Sequence, residues 1–175
     1  MITWTFVKPA KRVGARKAAS ALIVVYVGLF CACSDLEMEV ASGNLELIDL
    51  DGDVSAKTTS GNIRLTTIRG MVDANTVSGN IRIAGADHLG ALKATSGNIR
   101  ITSSGLSPNT NLKASSGNIN LHTTSQLEDY NFELSSGSGK VRLGERQTSG
   151  TLLVDHGALH TIKGNVTSGN IEIFR

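Results

Sequence analysis

Short runs of alternating apolar and polar residues make up most of the chain beyond residue 35. Val54, Ala56 and Thr58 alternate with polar residues, and two apolar residues flank Arg64 a few positions later. An alternation with a period of two is typical of a β-strand that buries one of its faces. The pattern therefore predicts many short strands, each with one row of side chains directed into a core.

A Ser-Gly-Asn tripeptide separates these runs and recurs along the chain. Copies begin at Ser42, Ser60, Ser78, Ser96, Ser116 and Ser168, and a related Ser-Gly-Ser-Gly segment begins at Ser136. The first four copies are 18 residues apart, and a fixed period of this length indicates a solenoid in which each copy contributes one coil. Glycine and asparagine suit a sharp turn because they tolerate positive φ. Stacked asparagines are expected to bond to one another as a ladder.

These features predict an all-β fold, a single-domain β-solenoid similar to a parallel β-helix, with about seven coils of 18–20 residues. An antiparallel meander or barrel is the alternative, because Gly-Asn between two alternating runs is also a hairpin signal. The near-identity of successive copies favours the solenoid, since like residues then lie over like. The last coil, ending in Ile171–Arg175, is expected at the far end of the stack with an open strand edge that invites self-association.

The first 32 residues have the pattern of an export signal. Five basic and no acidic residues precede Ala21–Phe30, an apolar run of ten residues. Such a run is too short to cross a bilayer and has the length of a signal-peptide core. The segment that follows, Cys31-Ala32-Cys33, resembles a bacterial lipoprotein box with Cys33 as the acylated residue. The sequence therefore predicts a lipoprotein-type signal peptide over 1–32 and a β-repeat domain over 33–175. Ordinary cleavage to a soluble secreted protein is one alternative. An uncleaved anchor is another, which the short apolar run disfavours.

Charge and anchoring together predict a location in the cell envelope. Removal of the signal leaves 12 basic against 15 acidic residues, a formal charge of −3, so the basic balance of the whole chain does not indicate a nucleic-acid partner. Several acyl chains on Cys33 would anchor the protein stably to a membrane. By resemblance to Gram-negative sorting rules, Ser34 directs such a lipoprotein to the outer membrane. The sequence leaves both the periplasmic and the surface face open.

One outward row of the predicted coils carries the candidate binding residues. In chain order the row is Glu46, Arg64, Arg82, Arg100, Asn120, Arg142 and Glu172. Stacking would hold the three consecutive arginines about 4.8 Å apart, and like charges this close repel unless solvent, nearby acids or an anionic partner offsets them. The row is thus either a solvated surface or a stripe for the carboxylates or phosphates of an envelope polymer or another protein.

The sequence shows no constellation that indicates catalysis. We find no Walker loop, no dinucleotide fingerprint and no nucleophile with a recognisable base. The outward row is mainly Arg and Asn, whereas a polysaccharide hydrolase needs paired carboxylates. We therefore expect a protein that is not an enzyme and that holds neither a cofactor nor a metal.

The spacing Gly-x-Val-x-Ala-x-Thr-x-Ser-Gly-Asn-Ile-Arg-Leu resembles a bacterial family of envelope β-repeat proteins. That family is catalogued as a domain of unknown function and described as candidate adhesins. The resemblance covers about residues 36–174 and is clearest in Thr58–Leu65, Thr76–Ile83 and Thr95–Ile101. Many members have Asp where this chain has Asn after Ser-Gly.

The resemblance implies a β-solenoid at the cell envelope and supplies no catalytic residue. The expected function is that of a non-enzymatic envelope lipoprotein, an adhesin or interaction surface displayed on the solenoid. A periplasm-facing scaffold, involved in envelope stress and docking or polymerising through its open edge, is the alternative. A polysaccharide-acting β-helix enzyme is the remote alternative.

Overall fold

The computed structural model describes residues 35–175 and three short strands before them, β1 (Ile2–Trp4), β2 (Val13–Gly14) and β3 (Ile23–Tyr26). β1 pairs with β3, whereas β2 and β3 each pair in parallel with a strand of the first coil. Cys33 and most of the predicted signal peptide lie outside the described residues. Among the residues described, no helix has the length and apolar character needed to span a membrane.

The rest of the described chain is built from strands, with one short 3-10 helix at Leu127–Asp129. The strands are β4 (Leu36–Ser42), β5 (Leu45–Asp51), β6 (Val54–Ser60), β7 (Ile63–Ser78), β8 (Ile81–Ser96), β9 (Ile99–Ser104), β10 (Leu106–Ser116), β11 (Ile119–Thr123), β12 (Asn131–Leu143), β13 (Arg146–Val154), β14 (Thr161–Ser168) and β15 (Ile171–Phe174).

Each coil has two faces that meet at the Ser-Gly-Asn turn. We call the segment before the turn the first face and the segment after it the second face. Equivalent residues lie directly opposite one another in neighbouring coils, as Val54 does with Val72 on the first face and Ile63 with Ile81 on the second. Among the described strands every pairing is parallel except that of β12 with β13. The protein is therefore all-β with a β-solenoid-like stack, and the antiparallel alternative is wrong.

The core runs the length of the stack between the two faces. Inward residues of the second face, such as Ile63, Leu65 and Ile81, are fully buried, and so are their first-face counterparts such as Val72. Burying a side chain of this size contributes roughly 1.5–3 kcal/mol. Since one coil has only a few such residues, the stack is stable only through contacts between coils.

The Ser-Gly-Asn turn permits stacking because its glycine has no side chain. Gly61 has a φ of 149°, and a Cβ built on it would lie 1.7 Å from the carbonyl oxygen of Gly43 in the coil below. The predicted asparagine ladder is also confirmed. The Asn62 side chain donates from Nδ2 to Asn44 Oδ1 at 3.0 Å, and the Asn62 backbone N–H donates to the same oxygen at 3.1 Å. The ladder continues through Asn80, Asn98, Asn118 and Asn170.

A second corner, on the far side of the second face, contains a bulge that the sequence pattern did not indicate. Asp49, Thr67 and Ser103 have positive φ values of 57°, 54° and 50°, and Gly85 in the coil between has 72°. These four residues are spaced by 18, so the four coils that contain them bend at the same position. Only one of the four is glycine, the residue that adopts this conformation without strain.

Spatial order departs from chain order in the C-terminal part of the stack. β14 pairs with β10 on one side and with β12 on the other, and β15 lies in the same way between β11 and β12. The last coil of the chain is therefore an interior coil. The expectation that it forms the far end with an open edge is wrong. That end is formed by β12, covered by β13 in antiparallel pairing.

The turn residues of the two coils agree with this order. Ser138 lies opposite Ser168, so the turn of the β12 coil is Ser138-Gly139-Lys140 and begins two residues after Ser136. The Lys140 backbone N–H donates to Asn170 Oδ1 at 2.8 Å. A lysine side chain has no acceptor for a following coil, so this coil can end the ladder but cannot continue it. The last coil carries an asparagine and can do both.

Candidate functional site

The three arginines of the outward row lie on adjacent coils in register. Arg64 is opposite Arg82, and Arg82 is opposite Arg100, all on the second face and all exposed. We call these three residues the arginine stripe. The structure confirms the predicted stacking, but it changes the order of the row beyond Asn120. In space the row is Glu46, Arg64, Arg82, Arg100, Asn120, Glu172 and Arg142.

Acidic residues lie at both ends of the stripe. Glu46 Oε1 is 3.9 Å from Arg64 Nη1, and the two side chains are 30% and 56% exposed. At the other end Asn120 separates Arg100 from Glu172 and donates from Nδ2 to Glu172 Oε2 at 3.2 Å. Two of the arginines, Arg82 and Arg100, take part in no ion pair with any described residue. Two unit charges separated by one strand spacing, about 4.8 Å, repel each other by about 0.9 kcal/mol in water.

A shallow groove runs along the stack between the arginine stripe and the asparagine ladder. One stretch of about 380 Å³ is lined by Arg82, Arg100 and the neighbouring asparagines. The adjoining stretch of about 430 Å³ is lined by Glu46, Arg64 and the asparagines of the first coils. Glu46 is the one acidic residue among the groups that line these two stretches. The groove therefore has one wall of guanidinium groups and one wall of amides.

The amide wall presents mainly hydrogen-bond donors to the groove. Each ladder oxygen is already occupied, as Asn80 Oδ1 is by the backbone and side-chain N–H groups of Asn98 at 3.0 and 3.2 Å. An asparagine Nδ2 carries two N–H groups, and the ladder uses at most one of them. Since arginine has donors and no acceptor, both walls favour a ligand rich in acceptors.

Beyond the stripe, on the side away from the ladder, the surface is formed by small side chains. Thr66, Ala84 and Thr102 lie beside the arginines there, around a depression of about 290 Å³. They leave the guanidinium groups open to solvent from this side as well. The arginines are therefore accessible to a large partner.

The first face carries a second pair of stacked basic residues, which was not among the predicted site residues. Lys93 and Lys113 are opposite each other in register and both are exposed. Lys57 and Lys163, further along the same face, form ion pairs with Glu37 and Glu133 at 3.5 and 3.1 Å. The signal in the sequence was the equivalent position of the two lysines relative to the turn.

The histidines do not form a metal site in the part of the chain that the structure describes, where no group of three or more His, Cys, Asp or Glu side chains could hold an ion. His156 instead joins the end of the stack. Its Nδ1 lies 2.8 Å from the Tyr130 carbonyl oxygen, and its ring meets Phe132 edge to face at 6.5 Å between centroids. His156 is thus part of the closure of the β12 end.

Two-strand coils in parallel register around a closed apolar interior define an all-β repeat protein with a β-solenoid-like fold. The chain belongs to the Toastrack DUF4097 family, a family of unknown function whose sequence profile matches residues 31–174. Comparisons with curated proteins and with solved structures give no match. The family assignment accords with the repeat fold and assigns no activity to it.

Proposed function

We propose that the protein is a non-enzymatic cell-envelope lipoprotein whose solenoid serves as an adhesion or interaction surface for an anionic partner. The observation that carries this proposal is the arginine stripe. Its three side chains are stacked in register and exposed, and Arg82 and Arg100 have no acidic neighbour within ion-pair distance among the described residues.

A partner with several negative charges would relieve the repulsion within the stripe. Guanidinium groups bind carboxylates and phosphates through paired hydrogen bonds. The hydrogen-bonded stack also holds the backbones of the three arginines in place before binding. Less conformational entropy is therefore lost on binding than with a flexible basic segment.

The anchor in this proposal is an acylated Cys33. Cys33 is three residues from Leu36, where β4 begins, so acylation would place the first coil beside the membrane. The arginine stripe would then extend away from the membrane along the stack. The outer membrane is the proposed location, and the face on which the solenoid lies is tested by protease treatment of intact cells. Digestion on unbroken cells supports adhesion, and protection until the outer membrane is opened supports a periplasmic role.

Binding to isolated cell envelopes tests the role of the stripe. Arg82→Gln/Arg100→Gln removes two exposed positive charges from the second face. Lys93→Gln/Lys113→Gln, the matched control, removes two exposed and stacked positive charges from the first face. We expect the arginine variant to lose roughly tenfold in affinity, with the loss shrinking at high salt, and the lysine variant to change little. Equal losses in the two variants would leave only a general charge effect and contradict the proposal.

A periplasm-facing scaffold that associates through the end of the stack is the second proposal. It is favoured by β13, which among the described strands pairs only with β12 and carries Leu153 with 70% of its surface exposed. Unpaired strand edges and exposed apolar residues promote association. Sedimentation at increasing protein concentration tests it, with Leu153→Asp as the variant expected to remain monomeric. A wild-type protein that stays monomeric throughout would contradict the scaffold.

A further inference from the structure

We propose that the β13 end of the stack binds a second copy of this protein about a two-fold axis, and that this pairing joins copies anchored in two facing membranes. The inference rests on the anchor and on the association through the end of the stack proposed above, and it names the partner and its orientation. Three features support it: the uncovered core at this end, the shape of β13, and the charges at the two ends of the stack.

The apolar core is uncovered at the β13 end. Leu134 of β12 lies directly opposite Leu152 of β13, and Leu134 is fully buried whereas Leu152 is only partly buried against the core. Leu153, the next residue, is largely exposed. Among the described strands β13 pairs only with β12, so the backbone groups along its other edge have no strand partner. One further strand layer would cover Leu152 and pair these groups.

The shape of β13 fits a second β13 strand. Gly150 lies at the corner of the stack, opposite the turn of β12. The residues on either side of it form two arms of equal length, since Arg146–Ser149 pairs with the second face of β12 and Thr151–Val154 with the first. A two-fold axis at Gly150 exchanges the two arms. Two β13 strands can therefore pair antiparallel along both arms and bend at the same point, whereas a straight strand of another protein would follow only one arm.

The same pairing keeps inward residues over inward residues. Directly opposed residues of an antiparallel pair lie on one face of the sheet. With Gly150 opposite Gly150, Thr148 lies opposite Leu152 of the second copy, and both of these residues point inward and are partly buried in the single copy. On the outer face Ser149 lies opposite Thr151 of the second copy. The core of one copy thus continues into the core of the other.

The two ends of the stack differ in charge. Residues 35–53, which include the first coil, contain seven acidic residues and no basic one, so two such ends repel each other. Gln147–Val154 of β13 contains no charged residue and no proline, and these are the residues that commonly keep a strand edge from pairing. Self-association is therefore expected at the β13 end.

The anchors of the two copies lie at opposite ends of such a dimer. Each copy has about eight strand layers along its axis, so at about 4.8 Å per layer the two first coils are roughly 70 Å apart. Copies anchored through Cys33 in one membrane point in the same direction, whereas copies in two facing membranes point towards each other and can pair. Many such contacts between two membranes add up to firm attachment.

Cysteine cross-linking in solution tests the pairing. Ser149→Cys and Thr151→Cys are made separately in the full chain with Cys31→Ala/Cys33→Ala, and each is oxidised alone and in a mixture of the two. The two positions are opposed about the axis, so the mixture should form a disulfide-linked heterodimer. Each variant alone should not cross-link, because identical positions are offset by two residues and lie beyond the roughly 7 Å that a disulfide spans.

Vesicle clustering tests the orientation. Cys31→Ala leaves Cys33 as the one thiol of the chain, and through it the full chain is coupled to maleimide lipid in neutral phosphatidylcholine vesicles. We expect coated vesicles to cluster with one another and to leave bare vesicles unbound. Leu153→Asp should slow the clustering roughly tenfold. Val77→Asp, the matched control at an exposed apolar residue of β7, should leave it unchanged.

Several results would overturn the inference. Disulfides within each single variant and none in the mixture would show parallel pairing. Capture of bare vesicles, or equal clustering with and without Leu153→Asp, would contradict the pairing of two β13 strands. If sedimentation shows association that depends on Leu153 but the mixed variants do not cross-link, the association through the end of the stack stands and the two-fold pairing fails. If the protein stays monomeric and no cross-link forms, both fail.

Discussion

The coils from β4 to β11 and the coils from β12 to β15 are built on the same turn but are assembled differently. In the first region each coil stacks on the one before it, and chain order equals spatial order. In the second region the last coil lies between β10–β11 and β12, and β13 runs antiparallel at the end. Chain order and spatial order thus agree where every coil carries the asparagine that donates to one neighbour and accepts from the other, and they part where Lys140 replaces it.

This difference also determines the extent of the candidate site. The regular region supplies the three arginines in register, and the inserted coil supplies Glu172 directly after Asn120. Arg142 is moved one position outward, where its guanidinium carbon lies 4.9 Å from the centre of the Phe174 ring. The rearranged region therefore ends the stripe that the regular region builds.

The largest effect is expected from a methyl group in the stacked turns. In Gly79→Ala the added Cβ would lie 1.9 Å from the Gly61 carbonyl oxygen, at a φ of 144°. Because backbone must move on both coils, we expect a loss of more than about 4 kcal/mol in the free energy of unfolding. The control lies in β13, where the methyl group of Gly150→Ala meets no atom within 4 Å. It should cost only about 1–2 kcal/mol, for its backbone conformation. Urea denaturation measures both, and similar losses would contradict the account.

Replacing a buried isoleucine with alanine tests whether the last coil is as much a part of the core as the regular region. Ile63 in the regular region and Ile171 in the last coil are both 0% exposed. We expect Ile63→Ala and Ile171→Ala each to lower the free energy of unfolding by about 3–4 kcal/mol, because both leave a cavity inside the stack. Thermal and urea unfolding of the two variants provide the measurement. A cost for Ile171→Ala below about 1 kcal/mol would mean that the last coil is peripheral.

Truncating a side chain of the asparagine ladder should destabilise the fold inside the regular region and have little effect where the ladder ends. Asn80→Ala removes the acceptor of two bonds from Asn98, and we expect a loss of about 1–2 kcal/mol. Lys140→Ala keeps the backbone N–H that bonds to Asn170, so its free energy of unfolding should change by less than about 0.5 kcal/mol. Equilibrium unfolding in urea distinguishes the two, and a larger loss for Lys140→Ala would refute this description of the ladder.

The smallest effect is expected at the bulge. Thr67→Gly replaces a β-branched residue at a φ of 54° with the residue found at the equivalent position, Gly85. The relief of backbone strain outweighs the extra conformational entropy that glycine gives the unfolded chain. We therefore expect the free energy of unfolding to rise by roughly 0.5 kcal/mol. Thr66 lies one residue earlier and has an ordinary strand conformation. Thr66→Gly should therefore lower the free energy of unfolding by about 0.5–1 kcal/mol. Thermal shift measurements check the pair, and a loss in both variants would contradict the strain at Thr67.

Much of the regular region follows from its sequence. The period of 18 residues, the inward alternation and the repeated turn predicted the parallel stack, the asparagine ladder and the register of the arginine stripe. Those predictions held because each property depends on residues that recur identically in neighbouring coils. The bulge was not predicted, because the residues that form it share a backbone conformation but no side-chain chemistry. They are Asp49, Thr67, Gly85 and Ser103.

The position of the last coil could not be obtained from local patterns. Its Ser168-Gly169-Asn170 turn resembles the earlier turns, so the sequence alone suggested simple continuation. Two features of the β12 coil suit it to the end of the stack: β13 covers it in antiparallel pairing, and Lys140 stands where the other coils have an asparagine. The inserted coil in turn places Glu172 beside Asn120, where the arginine stripe ends.

Disulfide trapping tests the inserted coil most directly. In a Cys31→Ala/Cys33→Ala background, Lys113→Cys/Asn165→Cys joins residues that are directly opposed on adjacent strands. Lys113→Cys/Ser135→Cys joins residues that have the Asn165 strand between them. A disulfide spans at most about 7 Å between Cα atoms, and two strand spacings exceed this. We predict rapid oxidation of the first pair and none of the second. A disulfide in the second pair and none in the first would show that the coils stack in chain order and would contradict the account.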